Sequence, residues 1–418
     1  MSGLAFAEAP PPSLPLRFLL TALGWGVFAG VWLAWVGAEA MLSRWTPATL
    51  VLVHALVLGL LGNAMLGSLL QFLPVATASP LPGRGAMPWL HMGFNAGVAL
   101  LLATFARNAY ALALPATGLL AGTLLPFAAL ALWAVARGRG DAQARRGIAL
   151  ALLALAATVA TGAWLLSART GWLAPPVRSF TDLHAGLGIV GWVVGLLAAV
   201  AGIALPTLQG TRALPARAYA AWRTLLVAAL AVLALDGHWP LPSPLRALPV
   251  LPVAVFAAAA LALQMRSPHV RNPVLRRFWM LGCASLLLAC AALALPEGPH
   301  LPAPALLAGV LALAVGLPAL VVGMALEITA FLAWIALRRR MPRGTRVPGV
   351  GRLFEEAHKQ RLFALHAAAA ALLVLAACAP AWARVAGVAM ALAHAAALHG
   401  AWRCWRGAAR FVPSPPAG

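Results

Sequence analysis

Residues 47–74 read PATLVLVHALVLGLLGNAMLGSLLQFLP, and this stretch decides the fold class. It is long enough to cross a bilayer and apolar almost throughout. Yet it holds His54, Asn63 and Gln71, together with Gly59, Gly62 and Gly67. A lone imidazole in hydrocarbon is costly, so His54 is expected to face a bundle interior and find a partner there. The glycines let another backbone or a flat ligand approach. The same arrangement, an apolar helix with a histidine near one end, recurs around His91, His184 and His366.

Composition agrees with a membrane protein. Of 418 residues 63% are hydrophobic and only 9% are charged, where a soluble globule carries about 25% charged. The formal charge of +21 comes almost entirely from arginine, Lys359 being the single lysine. These arginines punctuate apolar runs instead of clustering as a nucleic-acid-binding stripe. The partner they imply is the lipid bilayer and its anionic headgroups. Cys283, Cys290, Cys378 and Cys404 form no CxxC pair, so no disulfide framework, zinc site or c-type haem attachment is expected. The first residues lack the basic and apolar regions of a cleaved signal, so insertion is expected to begin with the first helix.

Twelve spans can be drawn, giving an all-α polytopic membrane protein. They run over about Leu16–Leu42, the opening stretch, Pro88–Ala106, Ala111–Ala136, Ile148–Ala168 and Phe180–Leu208. The remainder are Tyr219–Leu235, Leu245–Gln264, Phe278–Leu295, Pro304–Leu337, Leu362–Trp382 and Val385–Trp402. Residues 1–15 and 407–418 read as tails around one transmembrane domain, 16–406, and 338–361 as a basic loop. The arginine distribution between loops places both tails and that loop in the cytoplasm of a bacterial inner membrane. No internal repeat, P-loop, GxSxG or HExxH motif is legible.

Four histidines stand out by expected depth. His54 and His184 both lie within two turns of the outer end of a helix; His91 and His366 lie in the first two turns from the inner side. Two bis-histidine haems, one per pair, would carry electrons across the membrane; one haem with copper or an unliganded histidine is the lesser version, and four histidines hydrogen-bonded to backbone is the plain alternative. The glycines after His184, at 186, 188, 191 and 195, fit either a flat macrocycle or close helix packing. His238, His269, His300 and His358 fall in loops or at helix ends. His394 and His399, five apart, point to different faces and read as ordinary buried histidines. Glu327 is a proton or ion relay candidate, or is paired with a cation such as Arg223. Asp182 reads as a helix cap or a support for His184.

Three segments carry a resemblance: HALVLGLLGNAMLGSLLQFLPV, LHAGLGIVGWVVGLLAAVAGIALP and GMALEITAFLAWIAL. With twelve spans they resemble bacterial proteins related to subunit I of the haem–copper oxidases, near the cytochrome-oxidase and nitric-oxide-reductase branch and NnrS-type proteins. The resemblance implies an oxidase-like bundle in which His54 is a low-spin haem ligand and His184 corresponds to a copper ligand. The departures are several. The tenth helix has no histidine, the seventh offers only His238 near its end, and the sixth lacks the tyrosine of the cross-link.

The resulting expectation is an integral inner-membrane, b-type haem protein for electron transfer or nitric oxide and redox chemistry, and not a respiratory oxygen reductase. Its ligand sets are His54 with His184 and His91 with His366, holding haem b and, in part, copper; a quinol or a cytochrome is the kind of redox partner implied. The rivals are a secondary transporter or metal and haem trafficking protein built around Glu327, and a non-catalytic oxidase assembly partner.

Overall fold

The computed structural model describes residues 9–412 except 178, 237–238, 240, 243–244, 246, 296–302 and 343. His238, His300, Arg178 and Arg246 therefore lie outside the described residues. Among the described residues, twelve helices are long and apolar enough to cross a membrane. They are α1 Ser13–Met41, α2 Pro47–Thr77, α3 Arg84–Arg107, α4 Tyr110–Arg137, α5 Ala142–Arg169, α6 Ser179–Gln209, α7 Ala216–Leu235, α8 Leu248–Met265, α9 Pro273–Ala292, α10 Pro304–Arg340, α11 Glu356–Cys378 and α12 Pro380–Arg410. No strand occurs among the described residues. A helix satisfies its own backbone polar groups, which is what hydrocarbon demands.

Each helix packs on the next in the chain, and α12 closes the circuit against α1. That closure is a crossing of small residues. A Cβ at Gly30 would collide with the backbone of Ala391, and one at Gly387 with the backbone of Ala34. Two backbones approach where only glycine fits.

Burial singles out three helices. In α2, α6 and α10, 72%, 61% and 67% of the apolar span is buried, against 50% or less in the other nine. The same three each contain a π-helical segment, at Ala55–Gly62, Leu187–Val194 and Val310–Gly316. They are spaced every fourth helix, a periodicity of burial and backbone geometry that the alanine-rich sequence hides. In α10 the cause is local. Pro318 cannot donate to the carbonyl four residues back and would clash with it, and the widened turn just before it absorbs the conflict. No proline explains the other two, which directly follow His54 and come three residues after His184. π-turns of that kind gather at functional sites.

The basic run 338–361 is partly structural. Arg338–Arg340 continue α10, and Arg340 donates to the carbonyls of Ala408 and Phe411 at 3.0 Å each, closing the C-terminus of α12. Helix α11 starts at Glu356, six residues before the expected boundary, so Lys359 is a helix residue and not a loop residue. Exposed tryptophans, including Trp35, Trp45, Trp89, Trp172 and Trp382, sit near helix ends, as side chains do at a membrane interface.

A candidate histidine site between the central helices

The hydrogen bonds of each imidazole decide what it can ligate. The Nδ1–H of His54 donates to the carbonyl of Leu50 at 2.8 Å, one turn back on α2. That fixes the tautomer and leaves Nε2 with a lone pair. The ring packs against Phe105 of α3, with centroids 5.1 Å apart. His184 reaches the same state by another route. Thr161 on α5 donates its hydroxyl proton to the carbonyl of Ala157 at 2.9 Å. Its oxygen therefore accepts from His184 Nδ1–H, 3.2 Å away, with the backbone carbonyl of Thr158 as a second acceptor for that ring, and no hydrogen bond engages Nε2 among the described contacts. Gly162 makes room for this ring: a Cβ there would come within 2.9 Å of His184 Cε1.

The ends of α2 and α6 nearest His54 and His184 are tied by an ion pair. Arg44, in the turn before α2, meets Asp182 at 2.6 Å, two residues before His184. Asp182, in the first turn of α6, thus ties the start of that helix to the turn before α2. At 45% and 44% side-chain exposure this pair serves as a register mark more than as a source of stability.

The second expected pair is not brought together by any described contact. His91 places Nε2, the atom a haem would need, 3.0 Å from Thr21 Oγ1, and its ring lies edge-on to Phe18 at 4.7 Å. His366 sits eleven residues into the early-starting α11, against His394 of α12 at a centroid separation of 5.0 Å. His394, read from sequence as an ordinary buried histidine, is therefore the neighbour of His366. Linear spacing held no signal for it, because the two rings come from different helices. His399 does lie elsewhere, tilted over Trp402.

The glycines serve side chains and not a flat ligand. Gly59 faces the Trp25 ring, Gly62 faces Phe94 and Gly67 faces Phe18. On α6, Gly186 faces Leu233, Gly188 faces Thr158 and Gly191 faces Ala154. Close packing is the use made of both patterns.

Asn63 belongs to a buried polar knot. Its amide donates to Asn95 Oδ1 at 2.9 Å, and Asn95 returns a bond to Asn63 Oδ1 at 3.1 Å. Trp25 donates to the same Asn95 oxygen at 2.6 Å, and Asn95 Nδ2 also reaches the carbonyl of His91 at 2.8 Å. The knot locks α1, α2 and α3 in register. Asn63 has no exposure at all. Asn95→Ala would strand Oδ1 of Asn63 and the indole N–H of Trp25, while Nδ2 of Asn63 keeps the carbonyl of Gly59. We expect a loss of about 1–3 kcal/mol, read as a lower unfolding midpoint in detergent.

Glu327 finds its partner in Lys359 and not in Arg223, with Nζ–Oε1 at 2.5 Å. Lys359 also meets Glu356 at 2.8 Å, and Glu356 accepts from the backbone N–H of Val274 at 2.9 Å, in the first turn of α9. Because Lys359 lies in the first turn of α11, Glu327 is level with the N-terminal end of that helix. Its geometry is that of a paired structural charge linking α9, α10 and α11.

Among the described residues no group of three or more His, Cys, Asp or Glu forms a cluster able to hold a metal ion. The chain matches no protein-family model and no curated protein.

Proposed function

We propose that this multi-pass membrane protein is a b-type haem protein of redox function, with His54 and His184 as the axial pair. The observation that carries it is the shared state of the two imidazoles. Each commits Nδ1 to a protein acceptor and leaves Nε2 bare, on two of the three central helices, at their mutually tied outer ends. That is the preparation a metal-binding histidine receives: the second nitrogen fixes orientation and raises the basicity of the first. Haem b held there would supply one-electron transfer. The chain's own part is to aim the two nitrogens and, through the apolar walls of α2 and α6, to keep water from them. Electron transfer, nitric oxide chemistry or redox sensing follow from such a centre, and a quinol or a cytochrome is the class of partner. The fit rests on the donors, since the nearby glycines are occupied by side chains.

The test is a spectrum. Protein purified in detergent from haem-replete cells should show a reduced-minus-oxidised low-spin b-type signal. His54→Ala and His184→Ala should each abolish it while the protein stays monodisperse. Colourless wild-type protein, or an unchanged signal in both variants, would sink the proposal and bring forward transport or trafficking.

A further inference from the structure

The pair formed by His366 and His394 has no role in the site above, and its local chemistry is unusual. Each ring donates Nδ1–H to the carbonyl one turn back on its own helix, His366 to Leu362 at 2.8 Å and His394 to Met390 at 2.9 Å. Both Nε2 atoms are buried and have no hydrogen-bond partner. The residues are only 8% and 3% exposed. An unmet buried acceptor is costly, and here two of them border one cavity. That cavity measures about 20 Å³, room for a single small guest. Met390 lines it, as do apolar groups including Leu281, Val315 and Leu373.

We propose that His366 and His394, with Met390, bind one cuprous ion between α11 and α12. The donors decide the class of guest. Two neutral imidazoles and a thioether bring no negative charge, and no carboxylate or thiol lines the cavity. A divalent cation in that apolar setting would keep its full desolvation cost. A soft monovalent ion bears less of it; a thioether favours Cu(I), and imidazole accepts copper among other metals. The ring geometry agrees. Two imidazoles bound at about 2.0–2.1 Å around a tetrahedral centre place their centroids about 5 Å apart, and these stand at 5.0 Å with planes crossed at 67°. Helix α1 confines the site, since a Cβ at Gly26 would collide with the His394 ring. Phe278 covers the other imidazole edge-on at 5.5 Å.

The experiment is an anaerobic titration of the full-length protein in detergent, under ascorbate, against Cu(I) held by the chromophoric chelator bicinchoninate. Wild type should withdraw one copper per chain. His366→Ala and His394→Ala should each lose that stoichiometric binding, and Met390→Leu should bind more weakly. His54→Ala should bind copper as wild type does, so failure of the haem proposal and failure of this one are separable. If an alanine variant is not monodisperse, X-ray absorption of copper-loaded wild type decides, with nitrogen neighbours at about 2.0 Å and one sulfur at about 2.3 Å expected. Wild type that takes no copper, His394→Ala that binds it undiminished, or a copper shell without imidazole would overturn the proposal. Any of these leaves the cavity to one bridging water.

Discussion

Lys359→Met should destabilise the protein by about 3–5 kcal/mol, the cost of leaving one member of a buried ion pair uncompensated. The substitution keeps the length and most of the volume of the side chain, so packing changes little. What remains is the Glu327 carboxylate, in a side chain 9% exposed, without the ammonium 2.5 Å away. Glu327→Gln should cost less than Lys359→Met. It leaves an uncharged amide in the carboxylate's place, and Lys359 keeps Glu356 at 2.8 Å. The informative variant is the pair together. Glu327→Leu with Lys359→Met removes both charges and both desolvation penalties, and should recover most of the loss. Thermal unfolding of wild type, Lys359→Met, Glu327→Leu and the double variant in one detergent completes the cycle. A double variant as weak as Lys359→Met alone would mean that the helix linkage through Glu356 and Val274, and not the buried charge, sets the stability. If Glu327 instead relayed protons, the double variant would be stable yet inactive, so the cycle also separates a structural charge from a working one.

The second large effect is steric. Gly387→Val should part α1 from α12, because the added Cβ falls on the backbone of Ala34 and no rotamer can move that obstacle. Overpacking typically costs about 1–3 kcal/mol where side chains can yield, and here the yielding group is a helix backbone. We expect a cost at or above the top of that range, seen as lower yield of monodisperse protein and a lower unfolding midpoint. Gly118→Val is the control: a Cβ at that position of α4 meets nothing within 4 Å and should leave stability within experimental scatter. The contrast depends on the crossing alone, since both substitutions put the same β-branched residue into an apolar helix. Loss of stability in both would point to helix propensity in place of the contact between first and last helices.

Much of this molecule is set by its one-dimensional pattern. A chain in which apolar runs of bilayer length recur twelve times, with 9% charged residues, can satisfy its backbone in lipid only as helices, so the class and the number of spans follow from sequence. The importance of the stretch 47–74 was also legible, because three polar side chains in an apolar span have to face protein. Asn63 does so with no exposure and Gln71 at 9%. His54 and His184 were singled out by the same reasoning, each near the same end of its helix.

Tertiary structure decided what those residues meet. Glycine in a membrane helix announces a close approach without naming the visitor, and only the packed bundle shows Trp25, Phe94 and Phe18 on α2 where a macrocycle was also conceivable. The partner of Glu327 hinged on where α11 begins, and helix boundaries are the least legible feature of a sequence. Moving that start to Glu356 turned Lys359 from a loop cation into a buried one. The His366–His394 pair had no sequence signal at all. Helical periodicity compares residues within one helix, and this pair exists only because α11 lies on α12 with the two rings at matching depth. The recurrence of π-segments in every fourth helix was hidden for a related reason. A backbone geometry can repeat where side-chain identity does not, and an alanine-rich sequence leaves little identity to compare.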